Sequence, residues 1–295
     1  MLTRREFSTL MATSLAGTAL CGPPRALAAT GGDGDIAAML AEAERSLQAR
    51  LGVCALDSQT GRRWQHRADE RFPMCSTFKV VACGALLARV DAGMEDLSRR
   101  IRFQSDDLVS YSPVTKNHVG GEGMTLSDIC AAALTLSDNT AGNLILGSIG
   151  GPAGVTDFAR SLGDAGTRLD RIETELNEAT PGDPRDTTTP AGMVTSLHAL
   201  LAGGTLSAAS RQQLAAWMVA SKTGDSRLRA GMPKEWRIGD KTGTGDYGTA
   251  NDIAVIWPIG RQPLFIAVYI TQTEADLDER NATIAAIGRA IAAAL

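Results

Sequence analysis

The sequence predicts an α+β fold in which both ends of the chain build one antiparallel sheet and an all-helical domain is inserted between them. Three observations support this prediction. Strand patterns occur between residues 52 and 67 and return only from residue 236 onward. Most of the chain from Phe72 to Ser221 has helical periodicity, interrupted by loops rich in Gly, Pro and Asp. Hydrophobic residues make up 44% of the 295 residues, enough for a sizeable core.

The predicted elements follow the chain in order. An alanine-rich amphipathic helix at residues 35–51 precedes a hairpin whose turn lies at residues 58–61. The five strands are predicted at residues 52–57, 62–67, 236–244, 251–257 and 264–271, and a last helix at residues 277–294. We therefore expect residues 29–67 and 222–295 to form an α/β domain, residues 68–221 to form an all-α domain, and a cleft to lie between them.

Composition and charge exclude several classes of protein. The formal net charge is −4, which disfavours nucleic acid and anionic membrane surfaces as partners. His66, His118 and His198 are isolated in the sequence, and no cysteine pair has the spacing of a zinc site, so we expect no metal and no other cofactor. Beyond the N-terminal region, no stretch reaches the ~18 consecutive apolar residues of a membrane span.

The N-terminus has the three regions of an export signal. Arg4-Arg5 is followed by a mildly apolar run at residues 10–20 and by Ala-Leu-Ala at residues 26–28, a small-residue cleavage site. The sequence around the two arginines is of the twin-arginine type. We predict that residues 1–28 are a signal peptide and that the mature chain is periplasmic or secreted.

The stretch Ser76-Thr77-Phe78-Lys79 contains a candidate nucleophile. It opens a hydrophobic helix predicted at residues 78–90, so Ser76 would lie at the positive end of that helix. Because Lys79 follows Ser76 by three residues, its amine can reach the Ser76 hydroxyl, and such a neighbour can activate a serine. The spacing alone is weak evidence, since a Ser-x-x-Lys match is expected about once by chance in a chain of this kind.

Two further polar motifs follow in order. Ser137-Asp138-Asn139 comes after a helix predicted at residues 126–134, and Asn139 is predicted to cap the next helix at residues 140–147. Lys-Thr-Gly occurs twice: Lys222-Thr223-Gly224 follows a predicted helix, whereas Lys241-Thr242-Gly243 ends a predicted strand. A lysine on a strand can point a fixed charge into a cleft, so we select the second copy.

Together these motifs resemble those of the class A serine β-lactamases, in which Ser-x-x-Lys, Ser-Asp-Asn and Lys-Thr-Gly occur in this order. The resemblance covers essentially the whole chain after the signal. It implies the fold shared by β-lactamases and penicillin-binding transpeptidases. It also implies hydrolysis of the amide bond of penicillins and cephalosporins through a serine acyl-enzyme, which gives antibiotic resistance.

Residues 171–186 resemble the omega loop of the same family. Glu173 and Asn177 are four residues apart, hence neighbours on one helical turn, and together could hold a water molecule. Glu175 and Glu178 are the competing carboxylates, and neither matches the family position. Arg171 and Asp186, at the two ends of the loop, are expected to pair and close its neck.

The resemblance implies a role for each site residue. Ser76 attacks the lactam carbonyl, Lys79 or Glu173 takes its proton, and the backbone N–H groups of Ser76 and Thr244 form the oxyanion hole. Which of the two is the base stays open. Ser137 passes a proton to the leaving nitrogen. The expected catalytic residues are Ser76, Lys79, Ser137 and Glu173, and the expected substrate-binding residues are Asn139, Asn177, Lys241, Thr242, Gly243 and Thr244.

Three more residues are expected near the substrate. Arg227 and Arg280 both fall where members of the family place a positive charge for the substrate carboxylate, and of the two we favour Arg227. Tyr111 is expected to line the wall of the cleft, with a buried packing role as the alternative.

Cysteine positions also follow from the resemblance. Cys83 and Cys130 lie where part of the family has a disulfide, so we predict a bond between them. Cys75 is expected to be unpaired, because Gly245 stands where carbapenem-hydrolysing members carry a second cysteine. That departure argues against carbapenem hydrolysis.

Two other functions use the same three motifs or the same chemistry. A D,D-peptidase or penicillin-binding protein of cell-wall synthesis would lack the water-positioning pair that Glu173 and Asn177 provide. A β-lactam sensor would be acylated once and would need a relay or partner domain, for which the sequence offers no candidate. Only a β-lactamase turns over a chromogenic cephalosporin many times.

Overall fold

The computed structural model describes residues 33–295, which contain nine α-helices and nine β-strands. The helices are α1 (Asp33–Ser46), α2 (Phe78–Asp91), α3 (Leu126–Thr135), α4 (Asn139–Ile149), α5 (Gly151–Ser161), α6 (Pro190–Leu201), α7 (Ala208–Val219), α8 (Leu228–Gly231) and α9 (Leu277–Ala293). The strands are β1 (Arg50–Asp57), β2 (Arg63–His66), β3 (Phe72–Pro73), β4 (Arg100–Ile101), β5 (Met124–Thr125), β6 (Thr187–Thr188), β7 (Arg237–Gly245), β8 (Thr249–Trp257) and β9 (Leu264–Thr271). Short 3-10 helices lie at Cys75–Thr77, Ser105–Asp107, Thr115–Asn117 and Glu175–Asn177.

Five of the strands form one antiparallel sheet in the order β2-β1-β9-β8-β7. The early hairpin pairs Val53 with His66, and β1 pairs along its whole length with β9 near the other end of the chain. The remaining strands form two small two-stranded pairs, β3 with β6 and β4 with β5. The predicted α+β fold, with one sheet assembled from both ends of the chain, is confirmed.

Successive side chains along each strand point to opposite faces of the sheet, and a hydrophobic core lies on each face. In β9, Phe265 and Tyr269 belong to the core that helices α2 to α7 complete, whereas Ile266 and Val268 belong to the core that α1 and α9 cover. The domain boundaries given by the sequence stay a prediction.

Two details of the prediction are wrong. The first helix ends at Ser46 and does not reach Leu51, because Leu51 pairs with Ile270 in the sheet and tertiary pairing overrides helical propensity. The cap of α4 is Asp138, whose side chain accepts from the backbone N–H of Ala141. Asn139 is the first residue of that helix, so its side chain is free for other contacts.

The signal peptide predicted at residues 1–28 lies outside the described residues. Among the helices of residues 33–295, none is both long and apolar enough to cross a membrane.

Strand β7 is the edge strand that positions the site. It lies at one end of the sheet order and packs against the 3-10 turn that contains Ser76. Because an edge strand leaves alternate backbone groups unpaired within the sheet, β7 can offer N–H groups to a ligand. The sheet edge and the start of α2 therefore meet at one place.

Candidate active site

Ser76 lies in the turn of 3-10 helix that leads into α2. Apolar side chains such as Phe78 and Leu86 bury α2 in the core, which fixes the turn before it. Lys79 is one turn further on, and its Nζ donates to the Ser76 Oγ at 3.0 Å. The contact predicted from the three-residue spacing is therefore present.

Lys79 is fully buried and has four oxygen neighbours. Besides Ser76, its Nζ lies 2.9 Å from Glu173 Oε1, 2.9 Å from the Ser137 carbonyl oxygen and 2.8 Å from Asn139 Oδ1. Burial lowers the pKa of Lys79, and the Glu173 carboxylate opposes that shift. A lowered pKa gives this amine a larger neutral fraction, which can accept a proton.

Glu173 joins the serine to the omega loop. Its Oε1 accepts from the Ser76 hydroxyl at 3.2 Å, and its Oε2 accepts from Asn177 Nδ2 at 2.6 Å. The Oδ1 atom of Asn177 is buried and has no hydrogen-bond partner among the described residues. Because buried polar atoms are almost always hydrogen-bonded, this atom is available to accept from a water molecule.

The omega loop is held at its neck. Arg171 Nε donates to Asp186 Oδ2 at 2.6 Å, which confirms the expected pair, and Asp186 Oδ1 also accepts the backbone N–H of Arg171. Glu178 contacts the Arg171 guanidinium and Glu175 is exposed, so neither competes with Glu173. The Glu173–Thr174 peptide bond is cis.

Lys241 reaches the same cluster from strand β7. Its Nζ donates to Ser137 Oγ at 3.0 Å and to the Thr242 carbonyl at 2.7 Å. Burial, with a smaller contribution from the charge of Lys79, lowers the pKa of Lys241 to about 7. In the other Lys-Thr-Gly copy, Lys222 is exposed, whereas Thr223 Oγ1 lies 2.7 Å from Thr242 Oγ1.

Arg227 lies behind β7 and is buried. Its guanidinium donates to Thr244 Oγ1 at 3.0 Å and to the Gly243 carbonyl at 2.9 Å. Arg280 donates to the carbonyl of Asp276 in its own helix cap. Of the two candidate arginines, Arg227 is therefore the one that contacts the strand of the site.

Asn139 and Tyr111 lie on the opposite wall. The Asn139 side chain accepts from Lys79 and donates through Nδ2 to the Ser110 carbonyl at 3.0 Å. The Asn139 backbone N–H donates to the Tyr111 carbonyl at 3.0 Å, which brings Tyr111 to the site. The Tyr111 side chain is 60% exposed, so the buried packing alternative is wrong.

The four cysteines of residues 33–295 are all buried free thiols in this structure. The predicted bond between Cys83 and Cys130 is therefore not formed here, but burial and the neighbouring Cys83 side chain raise the pKa of the Cys130 thiol. The two thiols are close enough to influence each other, so the bond stays a prediction for an oxidising environment. Cys75 is unpaired and lies beside Gly245, where an added Cβ would be 2.7 Å from its sulfur.

Three polar residues of the site were not among those predicted from the sequence. Asn143 holds the backbone of Glu173 at both ends, accepting from its N–H at 2.8 Å and donating to its carbonyl at 2.9 Å. Its spacing of four from Asn139 on a helix was a usable signal. Thr223 and Asn251 gave no such signal, because their partners are distant in sequence.

The groups that meet at this site are hydroxyls, amines and a carboxylate. Within residues 33–295, no group of three or more His, Cys, Asp or Glu side chains could hold a metal ion. The site instead brings together one hydroxyl activated by an amine and a carboxylate, a second hydroxyl beside a cation, and an edge strand.

Comparisons with known proteins agree with one another. A sequence model described as the β-lactamase enzyme family matches residues 35–295. Beta-lactamase AST-1 of Nocardia asteroides is 52% identical over 255 residues, which cover 86% of this chain and 82% of that protein. Beta-lactamase AER-1 of Aeromonas hydrophila is 49% identical over 245 residues, 83% of this chain and 81% of that protein.

Solved structures give the same result. An ancestral class A β-lactamase (GNCA) is 60% identical, with a TM-score of 0.87 and coverage of 88% of this chain and 100% of that one. The putative class A β-lactamase PenP from Rhodopseudomonas palustris is 57% identical, also with a TM-score of 0.87, and covers the same shares, 88% and 100%.

Proposed function

Since the chain belongs to the class A β-lactamases, we propose that it opens the amide bond of penicillins and cephalosporins through an acyl-enzyme on Ser76. Hydrolysis of β-lactams is its activity, and it gives antibiotic resistance. One observation carries the assignment of residues: the Glu173 carboxylate bridges Ser76 Oγ, at 3.2 Å, and Asn177 Nδ2, at 2.6 Å. That bridge supports Glu173 as a base acting between the nucleophile and a water molecule.

In the acylation step, the Ser76 oxygen attacks the lactam carbonyl carbon and loses its proton to a base. Lys79 Nζ, at 3.0 Å, and Glu173 Oε1, at 3.2 Å, are both within reach of that proton. The lowered pKa of Lys79 favours the amine, and the charge of the carboxylate favours Glu173, so the base is left as one of these two. The N–H groups of Ser76 and Thr244 stabilise the oxyanion, at about 3 kcal/mol per donor in other enzymes.

Ser137 delivers the proton that the leaving nitrogen needs when the C–N bond breaks. Lys241 Nζ lies 3.0 Å from the Ser137 hydroxyl, and a neighbouring cation makes that hydroxyl a stronger acid. The Ser137 hydroxyl then regains a proton from the base that took one from Ser76, and the Lys79 amine lies beside this residue, 2.9 Å from its carbonyl oxygen. Acylation therefore leaves the total number of protons in the site unchanged.

Substrate binding uses strand β7 and the loop before α4. Lys241, Thr242 and Thr244 bind the substrate carboxylate, and Gly243 lets the strand approach closely. Arg227 donates to Thr244 Oγ1, which leaves the hydroxyl proton of Thr244 free to point at the substrate. Asn139 holds the side-chain amide of the substrate, and Tyr111 lines the wall of the cleft.

In the deacylation step, a water oxygen attacks the ester carbonyl while Glu173 takes one of its protons. Ser76 leaves with a proton, and the product is an open-ring acid. The unpartnered Oδ1 of Asn177 supports a water held between Asn177 and Glu173. A penicillin-binding protein would keep the acyl-enzyme, so this water separates the two functions.

The experiment that tests this proposal replaces Glu173 by glutamine. Glu173→Gln should be acylated by a penicillin, with the adduct on Ser76 visible by intact-protein mass spectrometry. Steady-state hydrolysis of a chromogenic cephalosporin should fall by about 10²- to 10⁴-fold, the usual worth of a general base. Glu175→Gln is the matched control, because Glu175 is exposed in the same loop, and it should behave like the parent. Parent-like hydrolysis by Glu173→Gln, or acylation of Ser76→Ala, would contradict the assignment.

We also propose where the protein is located, whether its cysteines are oxidised and which oligomeric state it has. The sequence of residues 1–28 supports export by the twin-arginine route to the periplasm or the medium. The contact between Cys83 and Cys130 supports a disulfide once the chain is in an oxidising compartment. The enzyme is expected to act as a monomer on a small β-lactam.

A further inference from the structure

We propose that Asn251 is a positioning residue for acylation, which fixes the segment before Ser76 against the strand that contains Thr244. This inference rests on the proposed function of Ser76. Asn251 lies on β8 and is fully buried, and the acyl-transfer mechanism makes no use of it. It is also distant in sequence from every group that its side chain contacts.

The Asn251 amide clamps the chain on the approach to the nucleophile. Its Nδ2 donates to the Pro73 carbonyl at 2.9 Å and to the Met74 carbonyl at 3.2 Å. The Met74 carbonyl also accepts from the Thr77 N–H at 3.2 Å and from the Thr77 hydroxyl at 2.8 Å. The Met74 carbonyl thus joins the turn that contains Ser76, through Thr77, to the sheet, through Asn251.

The same residue faces the oxyanion strand. Asn251 is the direct cross-strand partner of Gly243, one residue before Thr244. A Cβ at Gly243 would lie 2.8 Å from the Met74 carbonyl oxygen and 3.1 Å from Asn251 Nδ2, so only glycine permits this close approach. The distance between the Ser76 turn and the Thr244 strand is therefore set through Asn251.

The backbone of Asn251 links this clamp to the substrate side of β7. Its carbonyl accepts from Arg227 Nη1 at 2.6 Å, and the same guanidinium donates to Thr244 Oγ1 at 3.0 Å. One residue thereby holds the nucleophile segment with its side chain and the arginine behind Thr244 with its main chain.

Catalysis should be more sensitive to this clamp than stability is. A side-chain amide bonded to two carbonyls contributes about 1 to 2 kcal/mol to folding. The oxyanion donors act only when both point at the same oxygen, and a misplacement of about 1 Å can cost about 100-fold in rate. A residue with a purely structural role would lower stability without selectively weakening transition-state binding.

The test compares Asn251→Leu and Asn251→Ser with the parent and with Thr249→Val. Thr249 is a matched control because it lies on the same strand, is fully buried and loses one hydrogen bond, its 2.8 Å contact with Thr271 Oγ1. Three quantities are measured for each protein: the single-turnover rate of acylation by a penicillin, the affinity for phenylboronic acid, and Tm. Boron accepts the Ser76 oxygen, and the resulting tetrahedral adduct depends on the oxyanion donors.

Both Asn251 variants should acylate about tenfold to about 100-fold more slowly and lose a similar factor in boronate affinity. The initial non-covalent binding constant of the penicillin should stay within about threefold of the parent. Thr249→Val should lower Tm as much but keep the acylation rate. An acylation rate within about threefold of the parent in a folded Asn251 variant, or equal slowing in Thr249→Val, overturns the inference. If the parent itself forms no adduct on Ser76, the proposed function fails instead.

Discussion

Replacing Lys241 by arginine should remove most of the pH dependence of substrate capture above neutral pH. Lys241 is fully buried, and burial, helped by the charge of Lys79, lowers its pKa to about 7. A lysine is cationic below its pKa and neutral above it, so the free enzyme loses this charge as the pH rises through 7. Arginine keeps its charge throughout this range, because its pKa exceeds about 12.

The size of the effect follows from the charge that Lys241 contributes. With a pKa of about 7, about nine-tenths of the free enzyme is cationic at pH 6 and about one-tenth at pH 8. A cation about 4 Å from the substrate carboxylate is worth about 4 kcal/mol at an effective dielectric constant of about 20. The value of kcat/KM should therefore fall about tenfold per pH unit above 7, by up to about 1000-fold. The bound carboxylate raises the pKa of Lys241, so kcat should fall only at higher pH.

The assay is kcat/KM from pH 5 to 10 for a penicillin and for its methyl ester, with the parent and Lys241→Arg. The ester carries no carboxylate, so its kcat/KM should fall less than that of the acid as Lys241 loses its charge. The parent should show the fall near pH 7 with the acid substrate, and Lys241→Arg should lack it. An unchanged midpoint in Lys241→Arg, or an equal fall with the ester, would refute the reasoning.

Two other changes test neighbouring parts of the site. Thr223→Val removes the 2.7 Å partner of the Thr242 hydroxyl, so kcat/KM for a penicillin should fall about fivefold, which corresponds to about 1 kcal/mol. The methyl ester of the same penicillin should show no loss. Equal kcat/KM values for variant and parent with the acid would exclude the contact from substrate recognition. If Cys83 and Cys130 are joined as predicted, titration of the exported enzyme with a thiol reagent in denaturant should find only Cys54 and Cys75, and a reduced sample should give all four. Four free thiols before reduction would reject the disulfide.

The fold could be predicted largely because periodicity is a local property. The pattern of β9 alternates between two cores, and the helix that follows Ser76 has apolar residues at helical spacing, so both are visible in a short window. The error at the end of α1 has the opposite cause. Leu51 fits a helical pattern, but its pairing with Ile270 depends on a strand at the other end of the chain.

The contacts of the site also divide into local ones, which the sequence indicates, and long-range ones, which it does not. The Ser76 to Lys79 and Glu173 to Asn177 contacts join residues three and four positions apart, so the sequence spacing indicated them as candidates. Whether Lys79 and Glu173 meet depends on how the omega loop folds over α2, and the neck pair of Arg171 and Asp186 was the only local sign of it.

The contacts of a residue such as Asn251 cannot be predicted from residue spacing, for a physical reason. The Nδ2 of Asn251 donates to backbone carbonyls of Pro73 and Met74, and every residue has a backbone carbonyl, so the partner leaves no trace in the sequence. Such a residue is found only from coordinates.

The roles of Lys79, Glu173 and Lys241, three buried charged groups of the site, cannot be assigned independently. The Glu173 carboxylate raises the pKa of both Lys79 and Lys241, against the lowering that burial causes in each. Removing that carboxylate therefore does more than remove a general base, because both lysines lose protons more readily. A more neutral Lys79 is a better acceptor for the Ser76 proton, which is why acylation can survive in Glu173→Gln while the hydrolytic step fails. The same loss of charge weakens Lys241 as a partner for the substrate carboxylate. Acylation and substrate capture thus respond in opposite directions to one change, because the Glu173 carboxylate acts on both lysines.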